Sequence, residues 1–153
     1  MTSIDKIFGI VLVQFAFMDA GKILHADIIT GHGTPDPDGK TVWYDCSLFE
    51  VEGKGWTNTE SFYDRLPSTA KGNVPEAVWN LGHDTAGICI RFSTDAAPIQ
   101  VRWTLLKEKL AMPHMPATGV SGVDLYAKDK QSGRWCFAGN GRPAKMTNNA
   151  TFT

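Results

Sequence analysis

The sequence predicts an all-β fold, an antiparallel β-sandwich of jelly-roll character, and three observations lead there. Apolar residues alternate with polar ones at a period of two in several separate segments, which places one face of each against a core and the other toward water. Gly, Pro, Asn, Asp and Ser gather between those segments, as they do at turns. The 153 residues include 5 Trp and 8 Phe, a large burial per residue that suits the thin core between two sheets. A chain of this length fits one domain and buries enough surface to fold without metal or disulfide.

Residues 1–26 carry an apolar stretch, Ile7 to Met18, after Lys6, and Leu24-His25-Ala26 ends in a small residue. That pattern reads as a secretory signal, with export to the periplasm or beyond. Asp5, Gln14, Asp19 and Lys22 weaken it. The other reading is an apolar N-terminal helix or strand, since the run is too short to span a membrane. Residues 27–41 form a linker of turns around Gly31-His32-Gly33-Thr34-Pro35-Asp36-Pro37-Asp38-Gly39. Proline fixes φ there, glycine permits positive φ, and Asp bonds its own backbone. The spacing of oxygens does not meet the need of a calcium loop.

Residues 42–153 are the sandwich. Val42 to Phe49 is the first strand candidate, Thr59 to Leu66 a lone weak helix, and Ala77 to Leu81 a short strand. Ile88, Ile90 and Phe92 alternate with Cys89, Arg91 and Ser93; Ile99, Val101, Trp103 and Leu105 with Gln100, Arg102 and Thr104. Asp95 to Pro98 would join these as adjacent strands. Val123, Leu125 and Ala127 alternate with Asp124, Tyr126 and Lys128, and Asp129 to Gly133 would close a hairpin with Arg134 to Ala138. Trp103 stands on the apolar phase and should be buried; Trp43, Trp56 and Trp135 are less determined.

Chemistry is sparse. A serine elbow needs Gly-x-Ser-x-Gly; Gly119-Val120-Ser121-Gly122-Val123 has its second glycine one place early and runs into a strand. The four His show neither HxH nor HExxH spacing, so no metal centre is expected. No phosphate-cradling loop or cofactor motif occurs. With a net charge of −1 and no basic stripe, nucleic acid is not an expected partner. Cys46, Cys89 and Cys136 contain no CxxC, and buried unpaired thiols are the expectation. One stretch stands apart: Met112-Pro113-His114-Met115-Pro116-Ala117-Thr118-Gly119, stiffened by two prolines, could present Met and His as a contact surface.

Five stretches in order then carry a resemblance. They are Tyr63 to Pro67 (YDRLP), Val78 to Leu81, Ala86 to Thr94, Val101-Arg102-Trp103, and Met112 to Pro116 running into Gly122-Val123-Asp124-Leu125-Tyr126. Together they resemble the GxDLY domain found upstream of SGNH-type esterases, from about Trp43 to Pro143. The resemblance implies a β-sandwich accessory domain, a downstream α/β domain holding the Ser, Gly, Asn and His, and acylated polysaccharide as the substrate class. It also implies further strands past Gly141-Arg142-Pro143, so the sandwich is expected to lack its last strands. The SGNH blocks themselves are missing: there is no Gly-Asp-Ser, no Gly-x-Asn, and no His with Asp three places before it. A triad works only as a unit.

The sequence therefore reads as a non-catalytic domain without cofactor. It would dock on the downstream catalytic domain and help shape its cleft through His114 and Met115 on the stiff loop and through Asp124 and Tyr126 on a strand face. Arg65 is a further candidate contact, or a structural residue pairing a carboxylate. A free-standing carbohydrate-binding module is the alternative, and a hydrolase remnant without its own role is a third reading.

Overall fold

The computed structural model describes residues 32–94 and 96–153, together with the strand pairing of residues 2–6 and 10–18. In chain order the elements are β1 (Thr2–Lys6), β2 (Ile10–Met18), β3 (Thr34–Pro35), β4 (Thr41–Asp45), β5 (Glu50–Glu52), α1 (Glu76–Gly82), β6 (Ile88–Phe92), β7 (Ile99–Leu105), α2 (Ala117–Ser121), β8 (Val123–Lys128), β9 (Trp135–Gly141) and β10 (Thr147–Phe152). They build two five-stranded sheets, β5-β6-β1-β8-β9 and β10-β7-β2-β4-β3. Every ladder is antiparallel. The all-β class stands.

One core lies between the sheets. Ile88, Ile90 and Val123 from the first sheet meet Val101, Trp103 and Tyr44 from the second. The alternation in β6, β7 and β8 translates directly into burial: Ile88, Ile90, Val101 and Trp103 are wholly buried, while Cys89, Arg91, Arg102 and Thr104 are partly wet. Trp103, as expected, is inside, and its indole N–H donates to the Ser121 carbonyl at 2.9 Å. The connection from Phe92 to Ile99 differs from expectation: β6 and β7 belong to opposite sheets, so it crosses the sandwich rather than joining neighbours. Alternation reveals which side of a strand is apolar, and both sheets use the same apolar face. Asp95 lies outside the described residues.

Other expectations are corrected. Val42 to Phe49 is not continuous; the Asp45 carboxylate accepts from the Ser47 N–H and starts a short 3₁₀ turn at Cys46–Leu48 before β5. Ala77 to Leu81 is helical, in α1, beginning directly after Pro75, whose fixed φ suits a helix start. Thr59 to Leu66 is a run of turns. There Asp64 is drawn inward, accepting from the Ser61 N–H at 2.9 Å, and Pro67 blocks any continuation. Strand β10 and helix α2 were not foreseen. The Thr-Asn-Asn-Ala-Thr-Phe of β10 lies at a sheet edge and has little apolar content; it is anchored by buried Asn148, which accepts from Ala144 and Lys145 and donates to the Lys145 carbonyl. Of the cysteines only Cys46 is buried; Cys136 is exposed, and no disulfide joins any of them. Asp36 and Asp38 are spent within the turn, on the Trp43 indole and on Lys40 and Thr41.

The hairpin after β8 forms where expected. Gly133 takes φ +67°, and Asp129 accepts from the N–H groups of Gln131 and Ser132 and from the Ser132 hydroxyl. These bonds, led by the Ser132 N–H, lower the Asp129 pKa; bonds led by the Thr41 hydroxyl do the same for Asp38. A carboxylate held below its unfolded value stabilises the fold above that value, about pH 4, and the contribution disappears as pH falls through the lowered one. Acidification should therefore loosen both turns first. Amide protection at Ser132 and Thr41, taken relative to the intrinsic exchange rate at each pH, is expected to fall below about pH 4, with Asp129→Ala removing that change at Ser132. Constant protection across that window in the wild type would contradict this.

Candidate functional site

The two sheets expose different outer surfaces. On the first sheet, the phase opposite the core is occupied by Glu52 of β5, Cys89 and Arg91 of β6, Asp124 and Tyr126 of β8, and Trp135 and Phe137 of β9. The ladder explains the grouping: Tyr126 pairs with Phe137 and Lys128 with Trp135 across the hairpin, while Glu50 lies opposite Arg91 and Glu52 opposite Cys89. Cross-strand partners share a face. Tyr126 and Phe137 meet edge to face with centroids 5.7 Å apart, and the Arg91 guanidinium lies 5.4 Å from the Trp135 ring centroid. Arg91 also donates to Glu52 at 2.6 Å. Phe137 remains 57% exposed and Trp135 37%. Two large rings left in water beside an ordered ion pair form a surface with apolar and hydrogen-bonding character side by side.

The five residues singled out from the sequence fall in three places. Asp124 and Tyr126 stand on this outer face, half-buried. His114 and Met115 lie in a tight turn closed by mutual backbone bonds between Met112 and Met115, with His114 exposed and Met115 lying over the Gly119 position of α2. Arg65 is exposed beside α1, its N–H donating to the Gly82 carbonyl at 2.8 Å. Among the described residues ion pairs form between Lys71 and Glu60, His83 and Asp64, Arg91 and Glu52, and Lys107 and Asp84. Buried Asp64 takes His83 Nδ1 at 3.0 Å and ties the long loop before α1 to the end of that helix. Sequence reasoning missed Phe137, Arg91 and Glu52 as members of the face. The signal was available in the hairpin, since closing it at Asp129–Gly133 puts Phe137 beside Tyr126.

A cavity of about 320 Å³ lies beside β5, lined by Ser47, Phe49, Val51, Lys54, Thr57 and Phe62. Lys54 bonds the Phe62 carbonyl and sits 4.8 Å from the Phe62 ring centroid; burial lowers its pKa, opposed by the charge of Asp64. Ser121, in the failed elbow, is buried at the end of α2 with its carbonyl occupied by Trp103. Among the described residues no three His, Cys, Asp or Glu side chains gather as a metal site, and no helix is long and apolar enough to cross a membrane.

A two-sheet antiparallel sandwich with an exposed aromatic outer face is thus the class of structure. Residues 41–153 match the GxDLY family, described as the N-terminus of Esterase_SGNH_hydro-type, and the chain belongs to that family. Searches of curated proteins and of solved structures return no match.

Proposed function

We propose that this chain is the non-catalytic N-terminal accessory domain of an SGNH-type ester hydrolase, docking on a downstream catalytic domain and helping to shape its substrate cleft. The observation that carries this reading is the outer face of the first sheet, where Phe137 and Trp135 remain exposed beside Tyr126 and Arg91. Aromatic and Arg anchors of this kind dominate protein contacts when they are covered. The chain's own chemistry points the same way: Ser121 is buried, and His83 is turned toward a structural carboxylate. His114 and Met115, on a turn stiffened by Pro113 and Pro116, would line the rim of the cleft.

The test uses a separately produced catalytic domain of an esterase with this architecture. Tyr126→Ala with Phe137→Ala is expected to weaken its association with this chain tenfold or more, since buried aromatic anchors contribute about 2 kcal/mol each. His114→Ala in the joined enzyme should lower kcat/KM for an acylated polysaccharide and spare a small chromogenic acetate. Unchanged affinity in the first experiment would remove the docking face.

The Arg91–Glu52 pair beside Trp135 favours a second reading, a carbohydrate-binding face, because sugars stack on a ring while their hydroxyls bond flanking charges. Affinity electrophoresis on xylan distinguishes it: retardation lost in Trp135→Ala supports sugar binding, and no retardation of the wild type excludes it.

A further inference from the structure

The central lane of each sheet is filled from outside the family match. In the first sheet, β1 runs between β6 and β8, pairing Thr2–Lys6 with Phe92–Ile88 on one side and Ala127–Val123 on the other. In the second, β2 runs between β7 and β4. The family match begins at residue 41, so residues 41–153 supply the flanks of both lanes and neither occupant. Without residues 2–18 the two sheets separate into four two-stranded ribbons, β5-β6, β8-β9, β10-β7 and β4-β3. A two-stranded ribbon is marginal by itself, and each newly opened edge is a row of unpaired N–H and C=O groups.

The flanks cannot simply close. Since β6 and β8 are both antiparallel to β1, they are parallel to each other and separated by two strand spacings, about 9.6 Å. The same holds for β7 and β4 around β2. The apolar side chains lining this gap are the heart of the core: Ile88, Ile90 and Val123 beside one lane, Val101 and Trp103 beside the other, each 1% exposed or less.

From Val13 to Phe17 the sequence of the occupant follows the phase of its hosts, whereas in β1 Ile4 alone does so, Lys6 falling at the register of buried Ile88 and Val123. Ile4 stands at the register of Ile90 and Leu125, both core residues. Val13 stands opposite Trp103, Phe15 opposite Val101 and Tyr44, and Phe17 opposite Ile99 and Val42. On the β7 side Gln14 and Ala16 fall at the register of half-exposed Arg102 and Gln100, and on the β4 side they stand opposite Asp45 and Trp43. A one-residue slip would reverse all of these assignments.

We propose that residues 34–153 form a strand-accepting body with two open lanes, and that residues 2–18 act as its donor, entering both sheets by β-augmentation. The partner the second lane takes is an extended peptide with apolar residues at every second position, as in Val13, Phe15 and Phe17, while the first lane takes a short strand centred on Ile4; the chain's own N-terminal segment is that partner here. On this inference the segment stays with the folded protein and is not shed as a leader.

Hydrogen exchange on the intact chain is the first measurement. Amides of residues 10–18 should exchange within about tenfold of those of β7; exchange at the rate of an unstructured peptide overturns the proposal. Next, a specific protease site placed within residues 20–30 separates donor from body after folding. Retention of the cleaved peptide on size-exclusion chromatography, or its loss with aggregation of the body, supports the proposal. Loss of the peptide with the body's circular dichroism and melting point unchanged overturns it. Exchange against synthetic peptides of residues 1–20 tests the phase. A peptide with Gln14→Glu and Ala16→Ser should displace the cleaved donor, and one with Val13→Asp and Phe15→Asp should not; equal displacement by both would sink the register argument.

Discussion

Trp103→Ala is expected to destabilise the domain by about 3–5 kcal/mol, a large share of the total, since whole domains are stable by about 5–15 kcal/mol. The side chain is wholly buried in the centre of β7, within the core shared by the two sheets. Its removal leaves a large cavity that flanking strands, held by their ladders, cannot collapse to fill. It also strands the Ser121 carbonyl, in a residue itself 5% exposed, which receives the indole N–H at 2.9 Å. Trp103→Phe separates the two effects, keeping most of the packing while losing the hydrogen bond, and should cost about 1–3 kcal/mol. Urea denaturation of both variants provides the measurement. A phenylalanine variant as stable as wild type would show that the bond from indole to α2 contributes nothing.

The second large effect is expected at Gly53, just after β5. Its φ is +77°, where a side chain is strained, and an added Cβ would lie inside contact distance of the Gly87 carbonyl oxygen and 2.9 Å from its carbon. Both obstructing atoms are backbone, on the turn entering β6, so the β5-β6 ladder must part to admit a methyl group. Gly87 is the natural control: its φ is +81°, yet nothing lies within 4 Å of its would-be Cβ. Gly87→Ala should therefore show only the left-handed backbone cost, about 1–2 kcal/mol. Gly53→Ala adds the clash and should exceed it by at least about 2 kcal/mol. Thermal melts of the two variants compare them directly. Equal losses would mean that conformation alone, and not close backbone approach, sets the requirement for glycine at residue 53.

Much of the sandwich was legible because a strand with one dry face records its geometry at a period of two. The β6, β7 and β8 assignments and the Asp129–Gly133 hairpin follow from patterns confined to a few neighbouring residues. The failures share a different cause. Ala77 to Leu81 is too short to distinguish a helix from a strand by period, and its Val78 and Leu81 are exposed rather than buried. The polar strand β10 depends on its partner β7 and on the Asn148 anchor, neither of which local sequence announces. The aromatic face was half legible: Asp124 and Tyr126 were identified from their strand phase. Phe137 joins them only through the hairpin register, and Arg91 and Glu52 only through the order of strands in the sheet.

By itself the sequence determined the chemistry and the local geometry. Alternating apolar side chains demand strands with one buried face, and five ordered motifs identify an SGNH-esterase N-terminal domain. Tertiary structure decided which strands become neighbours. It sent β6 and β7 to opposite sheets, inserted residues 2–6 and 10–18 into the two central lanes, and gathered Arg91, Tyr126, Trp135 and Phe137 on one surface. The physical reason is that strand order is a property of long-range hydrogen bonding and shared burial. A strand's own residues specify which side faces inward, while the identity of its neighbours is settled only by the free energy of the whole closed pair of sheets.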